Sequence, residues 1–244
     1  MGFGPRVFEL PPSNRRPVDP VRLRLRLAQT LLDAGIDFFD LDAIALSHTR
    51  HPDHSADLAS YLFAINIRIT SAGRIRRVKP LRLIGPPGTR RHYDALVELH
   101  SSLPPEDFTI AVDEFSNAET MIGGIRLMAR TVEHGDVPAL GYRAEHGGRV
   151  FSYSGDTGPG PALAELLDGA DLALVECSFP AGAVRLGSHL DAREVGATAR
   201  AAGIRRLVVT HQYPIGDKAD VLPQIRENFD GPVEIAQDLM EFDV

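Results

Sequence analysis

The second half of the chain alternates between short apolar runs and segments whose apolar residues fall at helical spacing. Short apolar runs predict buried strands, and apolar positions three or four residues apart predict helices that cover them. From residue 150 onward we expect, in order, strand Val150–Tyr153, helix Pro161–Leu167, strand Leu172–Val175, helix Ala192–Ala202, strand Leu207–Thr210, helix Val221–Phe229 and strand Val233–Ile235. Strands that alternate with helices indicate a layered α/β fold with ligand sites at strand ends.

In the first half of the chain the patterns typical of strands and of helices also occur, but they alternate less regularly. In Val21–Leu27 leucines alternate with arginines, which predicts a half-buried strand. Further on, the pattern predicts these elements: strand Asp40–Ser47, helix Ser55–Ile67, strand Leu81–Ile84, helix Tyr93–His100, and strands Phe108–Val112, Ile125–Val132 and Ala139–Ala144. The pair Gly147-Gly148 then predicts a hairpin turn into the strand at residue 150.

The length and hydrophobic content of the chain are those of one domain. The chain has 244 residues, of which 43% are hydrophobic, and this is enough to bury a core. No internal repeat or linker interrupts the pattern. We expect an irregular, proline-rich segment over residues 1–20 and a single domain over residues 21–244.

Charge and cysteine content narrow the classes of function. A net charge of −7 and a pI near 5.7 argue against broad nucleic-acid binding, although they are compatible with a local basic patch. Cys177 is the only cysteine, so no intrachain disulfide can form, which fits a reducing compartment. The first twenty residues lack the apolar core of a signal peptide, and no apolar run approaches the ~20 residues of a membrane span. We expect a cytoplasmic protein without membrane association.

Three histidines and an aspartate fall within seven residues, directly after a predicted strand and before a predicted helix: His48, His51, Asp53 and His54. Imidazole nitrogens and carboxylate oxygens are good ligands for zinc-like ions. A single histidine is more often a core or surface residue, but packing alone does not explain such a cluster. The loop is therefore a candidate metal-binding loop.

Three more candidates, His134, Asp156 and His211, each follow the end of a predicted strand. Taken singly, any of them could be a cap or turn residue. Because strand ends often share one edge of a sheet, their common position favours a single site together with the histidine-rich loop.

Taken together these motifs resemble the metallo-β-lactamase superfamily and, within it, the ribonuclease Z and phosphodiesterase branch. The similar segments are the loop ending in Pro52-Asp-His54, Glu133-His-Gly-Asp-Val-Pro-Ala-Leu-Gly-Tyr-Arg143, Tyr153-Ser-Gly-Asp-Thr157, Val175-Glu-Cys-Ser-Phe179, Ser188-His189 and Val209-Thr-His211. The resemblance covers roughly residue 30 to the C-terminus. It implies a four-layer αββα sandwich.

The resemblance also implies two divalent metal ions, with zinc the expected metal. By this resemblance the ligands divide into two sets that share Asp156: His48, His51 and His134 for one ion, and Asp53, His54 and His211 for the other. Two such cations activate water and clamp the oxygens of a phosphodiester. Asp53 would take part in catalysis as well as in metal binding.

His189 resembles the family's non-ligand histidine, which protonates the departing oxygen, and Glu176 resembles its orienting partner. The resemblance therefore implies catalytic roles for both residues. The alternative is that Glu176 is a surface acid at a strand end and that His189 caps a helix.

Two features depart from the family pattern. One residue normally separates the first two histidines of the loop, whereas Thr49 and Arg50 both stand between His48 and His51. His48 therefore either bulges into place or misses the metal. Residues 1–30 also lack the family's glycine-rich strand pair, so we expect an altered or incomplete edge of the first sheet.

Seven basic residues and no acid occupy residues 74–93: Arg74, Arg76, Arg77, Lys79, Arg82, Arg90 and Arg91. They predict either an anion-binding surface or a solvent-exposed edge strand and loop. The short hairpin between Arg143 and Ser154 leaves no room for the basic arm that ribonuclease Z enzymes often insert there. We expect a small anionic substrate, a phosphodiester or a nucleic-acid end, rather than whole tRNA.

The first hypothesis for function is a dinuclear zinc phosphodiesterase. Because fold does not determine function, a lactonase, thioesterase or β-lactamase on the same scaffold is an alternative. A non-catalytic relative with a weakened metal site is the third hypothesis. Family likeness further suggests a homodimer formed through the helix after the metal loop.

Overall fold

The helices and strands of the chain form four layers. The computed structural model describes residues 26–66, 77–184, 188–213 and 220–244. Its helices are α1 Arg26–Asp33, α2 Pro52–Asn66, α3 Thr89–Leu99, α4 Pro161–Leu167, α5 Ala192–Ala201 and α6 Leu222–Arg226. Its strands are β1 Ala43–Ala45, β2 Leu81–Gly85, β3 Ile110–Glu114, β4 Ala118–Ile122, β5 Ile125–Thr131, β6 Leu140–His146, β7 Arg149–Tyr153, β8 Leu172–Glu176, β9 Leu207–Thr210 and β10 Val233–Ile235. No helix in the described part is both long and apolar enough to cross a membrane.

The smaller sheet contains three parallel strands in the order β1-β2-β3. Helices α1, α2 and α3 cover its outer face. Leu81 and Leu83 of β2 are two residues apart and therefore share one face of the strand. They form a buried cluster with Leu62 and Ile65 of α2 and with Tyr93 of α3. Burial of this apolar face fixes α2, and with it the loop that precedes the helix.

The larger sheet contains seven strands in the order β10-β9-β8-β7-β6-β5-β4. Strands β7 to β10 are parallel, whereas β6 is antiparallel to both β5 and β7. Strand β5 therefore points in the same direction as β7, β8 and β9. Helices α4, α5 and α6 pack on the outer face through Leu163, Val195 and Ile225, which join Ala173 and Val209 of the sheet in one buried cluster.

The inner faces of the two sheets meet in a third cluster that includes Ile84 of β2 and both Leu140 and Tyr142 of β6. Two hydrogen bonds reinforce this contact. The hydroxyl of Tyr142 donates to the carbonyl of Leu46 at 2.7 Å, and the amide of Leu140 donates to the carbonyl of Ser47 at 2.8 Å. Because Leu46 and Ser47 directly precede His48, the contact that closes the sandwich also positions the histidine-rich loop.

The four-layer sandwich confirms the predicted α/β fold class. Every strand and helix predicted from residue 40 onward forms, with ends shifted by up to four residues. Strand β4 is absent from the prediction because its residues, Ala-Glu-Thr-Met-Ile, lack the strong apolar run of a buried strand, and β4 lies at the edge of its sheet.

The N-terminal predictions fall mostly outside the described residues. The irregular segment 1–20 and residues 21–25 of the expected strand lie there, and so does most of the stretch 1–30 for which we expect an altered sheet edge; its residues 26–30 lie in helix α1. Leu27, the last residue of that expected strand, lies in helix α1 instead. Leu27 and Leu31 are four residues apart and both pack on the cluster around α2, so helical spacing and not alternation governs this segment.

We expect the substitution Tyr142→Phe to lower the free energy of unfolding by about 1–2 kcal/mol. The change removes the hydroxyl that binds the carbonyl of Leu46 and keeps the ring that packs between the sheets. Urea denaturation measures the effect as a lower midpoint with an unchanged slope. A midpoint equal to that of the unsubstituted protein would show that this bond does not help to join the sheets.

Candidate metal centre

The candidate ligands converge because their strands end at a common edge. His134 follows β5, Asp156 follows β7 and His211 follows β9, and these strands all point in one direction. The histidine-rich loop reaches the same edge through the bond between Ser47 and Leu140, since Leu140 begins β6, which runs in the opposite direction. The topology thus collects four separate segments at one place.

The histidine-rich loop passes directly into helix α2. Pro52 is the first residue of the helix, a position where its missing N–H costs no hydrogen bond. Asp53 lies in the first turn, where a negative charge complements the helix dipole. The extra residue in the loop does not exclude His48: its ring is fully buried, and its Nε2 lies 3.0 Å from Nδ1 of His51.

The structure brings the seven predicted ligands together in two sets, His48, His51, His134 and Asp156 in the first, and Asp53, His54 and His211 in the second. A third group, Asp156, His189 and His211, overlaps both sets. Within each set the candidate ligand atoms lie within 4.8 Å of one another. Oδ2 of Asp156 is also 3.2 Å from Nε2 of His54 and 3.4 Å from Nε2 of His211. The carboxylate of Asp156 therefore contacts both sets, as a shared ligand would.

Ser47 orients two of the histidine rings. Its hydroxyl lies 3.3 Å from Nδ1 of His48 and 3.0 Å from Nδ1 of His54. A hydrogen bond at Nδ1 fixes the direction of an imidazole and leaves Nε2 free to bind a metal. In both rings Nε2 is the nitrogen that faces the other candidate ligands.

A second serine, Ser178, does the same for His211, with its hydroxyl 3.0 Å from Nδ1. His211 has a backbone φ of 57°, a left-handed conformation that costs a non-glycine residue about 1–3 kcal/mol. This conformation, directly after β9, turns the ring back over the edge of the sheet, where Nε2 lies 3.6 Å from Oδ2 of Asp53. Strain of this kind is typical of functional sites.

His134 tests whether the site fits a metal ion. Its Nδ1 lies 3.4 Å from the carbonyl of Ser188, while its Nε2 is buried and has no hydrogen-bond partner among the described residues. An unpaired buried polar atom is costly. This residue belongs to the set with His48, His51 and Asp156, and such nitrogen and carboxylate donors are those that zinc prefers. The residues therefore fit a divalent cation.

Burial and charge set the protonation of the site. Burial, reinforced by the nearby His54, lowers the pKa of His48 to about 4, and burial also lowers the pKa of His134. Burial alone would raise the pKa of Asp156, but the hydrogen bond from His54 and the neighbouring imidazoles lower it to about 2. Neutral imidazoles and an ionised carboxylate are the forms that bind a cation.

His189 and Glu176 form a buried pair beside these sets. Nδ1 of His189 lies 2.9 Å from Oε1 of Glu176, and only 1% of Glu176 is exposed, so the surface-acid interpretation of this residue is wrong. Three more donors reach its carboxylate: the amide of Thr157 at 2.5 Å, the hydroxyl of Ser178 at 2.6 Å and the amide of Leu190 at 3.2 Å. Burial would lower the pKa of His189, but the hydrogen bond and the charge of Glu176 outweigh it and raise that pKa.

The start of helix α5 holds this pair in place. Asp191 and Glu194 form a capping box at its N-terminus, which satisfies free amides of the first turn. The amide of Ala192 also donates to the carbonyl of Phe179 at 3.0 Å. The segment that carries His189 is thereby tied to the segment that follows β8.

Sequence reasoning missed three residues of the site: Ser47, Ser178 and Tyr213. Both serines are neighbours in sequence of predicted functional residues, and this was the available signal. Tyr213 stacks on Phe179 with ring centroids 5.2 Å apart and lies 5.6 Å from the ring of His189. It forms an aromatic wall beside the site, and no periodicity or motif in the sequence marks it.

Comparison with known proteins identifies the family. The profile described as the beta-lactamase superfamily domain matches residues 18–212. The chain belongs to the metallo-β-lactamase superfamily. Most members of this superfamily are metal-dependent hydrolases, and the histidine and aspartate cluster described above is consistent with such a metal site.

Relatives within the superfamily cover most of the chain. A ribonuclease Z of Mycobacterium marinum is 30% identical over an alignment of 238 positions, which covers 86% of this chain and 82% of that protein. The short form of human tRNase Z has the same fold, with a TM-score of 0.66, 20% identity and coverage of 86% of this chain and 82% of its own. A diphosphatase from the PhnP family is also similar, with a TM-score of 0.62, 17% identity and coverage of 88% and 76%.

We expect Ser47→Ala to weaken zinc binding by about tenfold or more, because partners that orient metal-binding histidines typically contribute 10- to 100-fold. Competition with a chromophoric chelator measures this affinity. Ser152→Ala is the matched control: Ser152 is also fully buried and its hydroxyl donates to the carbonyl of Leu166 at 2.6 Å, away from the histidines. An equal loss of zinc affinity in both variants would refute the orienting role of Ser47.

Proposed function

We propose that this protein is a dinuclear metal-dependent phosphodiesterase that acts on a small phosphodiester or a nucleic-acid end. The observation that carries the proposal is that the seven histidine and aspartate ligands adjoin the buried pair of His189 and Glu176. The first group fits two cations that share Asp156, and the second fits a proton donor held beside them. Together these are the parts that metal-assisted hydrolysis of a phosphodiester requires.

Two divalent cations, with zinc the metal that the donor set favours, would supply Lewis acidity at the scissile phosphate. The first would be held by His48, His51 and His134 and the second by Asp53, His54 and His211, with Asp156 between them. Asp53 is the most exposed of these carboxylates, so it can also contact a substrate or a water molecule that enters from solvent.

His189 holds and delivers the proton for the leaving group. Its Nδ1 donates to Glu176, so Nε2 is the nitrogen available for transfer. Nε2 can donate only when the ring carries a second proton, and the raised pKa of His189 favours that form. Glu176 stabilises the charged ring and fixes its direction.

The short β6–β7 hairpin supports a small substrate. The two strands are joined only by Gly147 and Gly148, which both have positive φ angles. The segment between His134 and Asp156 therefore has no room for the long arm expected of enzymes that bind whole tRNA. The relatives named above include a ribonuclease Z and a diphosphatase, and their common chemistry is attack at phosphorus.

The basic stretch around residues 74–93 adds less to substrate binding than its composition suggests. Arg77 is buried and donates to the carbonyl of Phe39, Lys79 lies 3.3 Å from carboxylate oxygens of both Asp40 and Asp42, and Arg82 pairs with a third acid. Arg74 and Arg76 lie outside the described residues. Much of the charge in the described part is thus used within the fold.

Purified protein should contain about two equivalents of zinc per chain. Removal of the metal by a chelator should abolish phosphodiester hydrolysis, and zinc should restore it, because the ligand set and not a side-chain nucleophile supplies the electrophilic assistance. Elemental analysis and a rate assay on the same sample measure both. One ion or none, together with no hydrolysis, would instead favour the non-catalytic alternative.

We expect His189→Ala to lower kcat by about 10²- to 10⁴-fold, and to lower it more for an alcohol leaving group than for p-nitrophenolate, which needs no proton to depart. Although His189 lies near Asp156 and His211 in a third group of possible ligand atoms, we assign it to proton transfer, so zinc content should stay unchanged. Glu176→Gln should show the same dependence on the leaving group.

The control for both variants is His146→Ala. His146 lies at the opposite edge of the large sheet, where its Nδ1 is 3.0 Å from the carbonyl of Gly124, so its loss should not change the rate. Loss of zinc from His189→Ala would show that this histidine is a ligand and not a proton donor. Turnover of lactones, thioesters or β-lactams without phosphodiester turnover would overturn the proposed substrate class.

A further inference from the structure

Arg50 is one of the two residues between His48 and His51 in the histidine-rich loop. It stands directly before His51. His51 and Asp53 are the solvent-exposed ligand candidates of this loop, whereas His48 is buried. Arg50 therefore lies on the open side of the site, where 59% of its side chain is exposed.

The structure places Asp136 opposite Arg50. One guanidinium nitrogen of Arg50 lies 3.7 Å from Oδ2 of Asp136, whose side chain is 88% exposed. Asp136 belongs to the turn after His134, where Gly135 has a φ of 62°. The ion pair thus joins two of the three segments that supply the first ligand set. An exposed pair at this distance is weak, so its guanidinium can exchange Asp136 for another anion.

Other arginines near this edge of the large sheet are held much more firmly. Arg130 and Arg193 pair with glutamate carboxylates at 2.8 Å and 2.6 Å. Their charges are neutralised within helices and strands. Arg50 differs because it has a long, solvent-exposed contact and lies inside the ligand-bearing segment.

We propose that Arg50 binds a second phosphate group of the substrate, next to the scissile phosphodiester, and that Asp136 competes with that group. This inference rests on the proposed phosphodiesterase function and narrows its substrate class to phosphodiesters that carry an additional phosphate. The planar guanidinium offers paired N–H donors that match phosphate oxygens, which makes arginine well suited to this task.

The net negative charge of the protein makes a positively charged arginine beside the site useful for binding an anionic substrate. At a net charge of −7 the molecule repels a substrate with several negative charges, and the exposed carboxylate of Asp136 adds to that repulsion beside the site. A single arginine at the rim offsets it locally. Substrates with one phosphate gain little from Arg50, because the metal ligands already surround the place where that phosphate would bind.

Equilibrium binding to the zinc-loaded protein tests this proposal. Thymidine 3′,5′-bisphosphate and thymidine 5′-phosphate are compared by calorimetry, and we expect the bisphosphate to bind about tenfold more tightly. Arg50→Gln should remove this preference. Asp136→Asn should increase it, because the competing carboxylate is gone.

The matched control is Arg149→Gln. The side chain of Arg149 is also 59% exposed and lies 3.3 Å from Asp171, but it begins β7, at the opposite end of the strand from Asp156. This variant should keep the preference for the bisphosphate. An equal loss of affinity for both ligands in Arg50→Gln and Asp136→Asn, accompanied by loss of zinc, would show that the ion pair only clamps the loops and would overturn the proposal.

A hydrolysis assay distinguishes failure of the proposed anion site from failure of the proposed phosphodiesterase function. With thymidine 5′-(p-nitrophenyl phosphate), with and without a 3′-phosphate, Arg50→Gln should raise KM about tenfold only for the 3′-phosphorylated substrate. If neither substrate is hydrolysed but the binding preference depends on Arg50, the phosphodiesterase assignment fails and the anion site stands. If both are hydrolysed and the preference is absent or insensitive to Arg50, the anion site fails alone.

Discussion

The contact between the two sheets at Leu46 and Ser47 is the constraint on which the site depends. The hydroxyl of Tyr142 and the amide of Leu140 bind the carbonyls of these two residues, and the histidine-rich loop starts at the next position. Gly155 lies in the same contact, where a Cβ atom would come within 2.5 Å of the carbonyl of Leu140. The loop reaches the strand ends of the large sheet only because the backbones approach this closely.

A second constraint is electrostatic. Several imidazoles are packed around one buried carboxylate, and a cluster of charged rings would repel itself. Burial resolves this by keeping His48 and His134 neutral, while Asp156 stays ionised. Serine hydroxyls bind the outer nitrogens of His48, His54 and His211, so the inner nitrogens of these rings face the other candidate ligands. His48, His134 and Asp156 thus have the protonation that a divalent cation would require of its ligands.

Much of the fold and the site could be predicted from the sequence, for specific physical reasons. Buried strands such as β8 and β9 have uninterrupted apolar runs. His134, Asp156 and His211 each follow a strand of the large sheet, so the pattern that predicts the strands also predicts where these three side chains lie. The edge strand β4 lacks such a run. The serines and Tyr213 were missed because their roles depend on contacts between segments distant in sequence, as between Ser178 and His211. Whether the extra loop residue displaces His48 depends in the same way on packing that no local pattern encodes.

The strands of the large sheet have unlike surroundings at their two ends. One carries the candidate ligands, and the other carries the glycine turns at residues 123–124 and 147–148, which join β4 to β5 and β6 to β7. A strand of five residues is roughly 16 Å long, and this length separates the two ends. Peptide tags, fluorophores or whole reporter domains grafted into the glycine turns would therefore leave the chemistry undisturbed, which makes this end of the molecule a natural attachment point for sensors and immobilised forms of the protein.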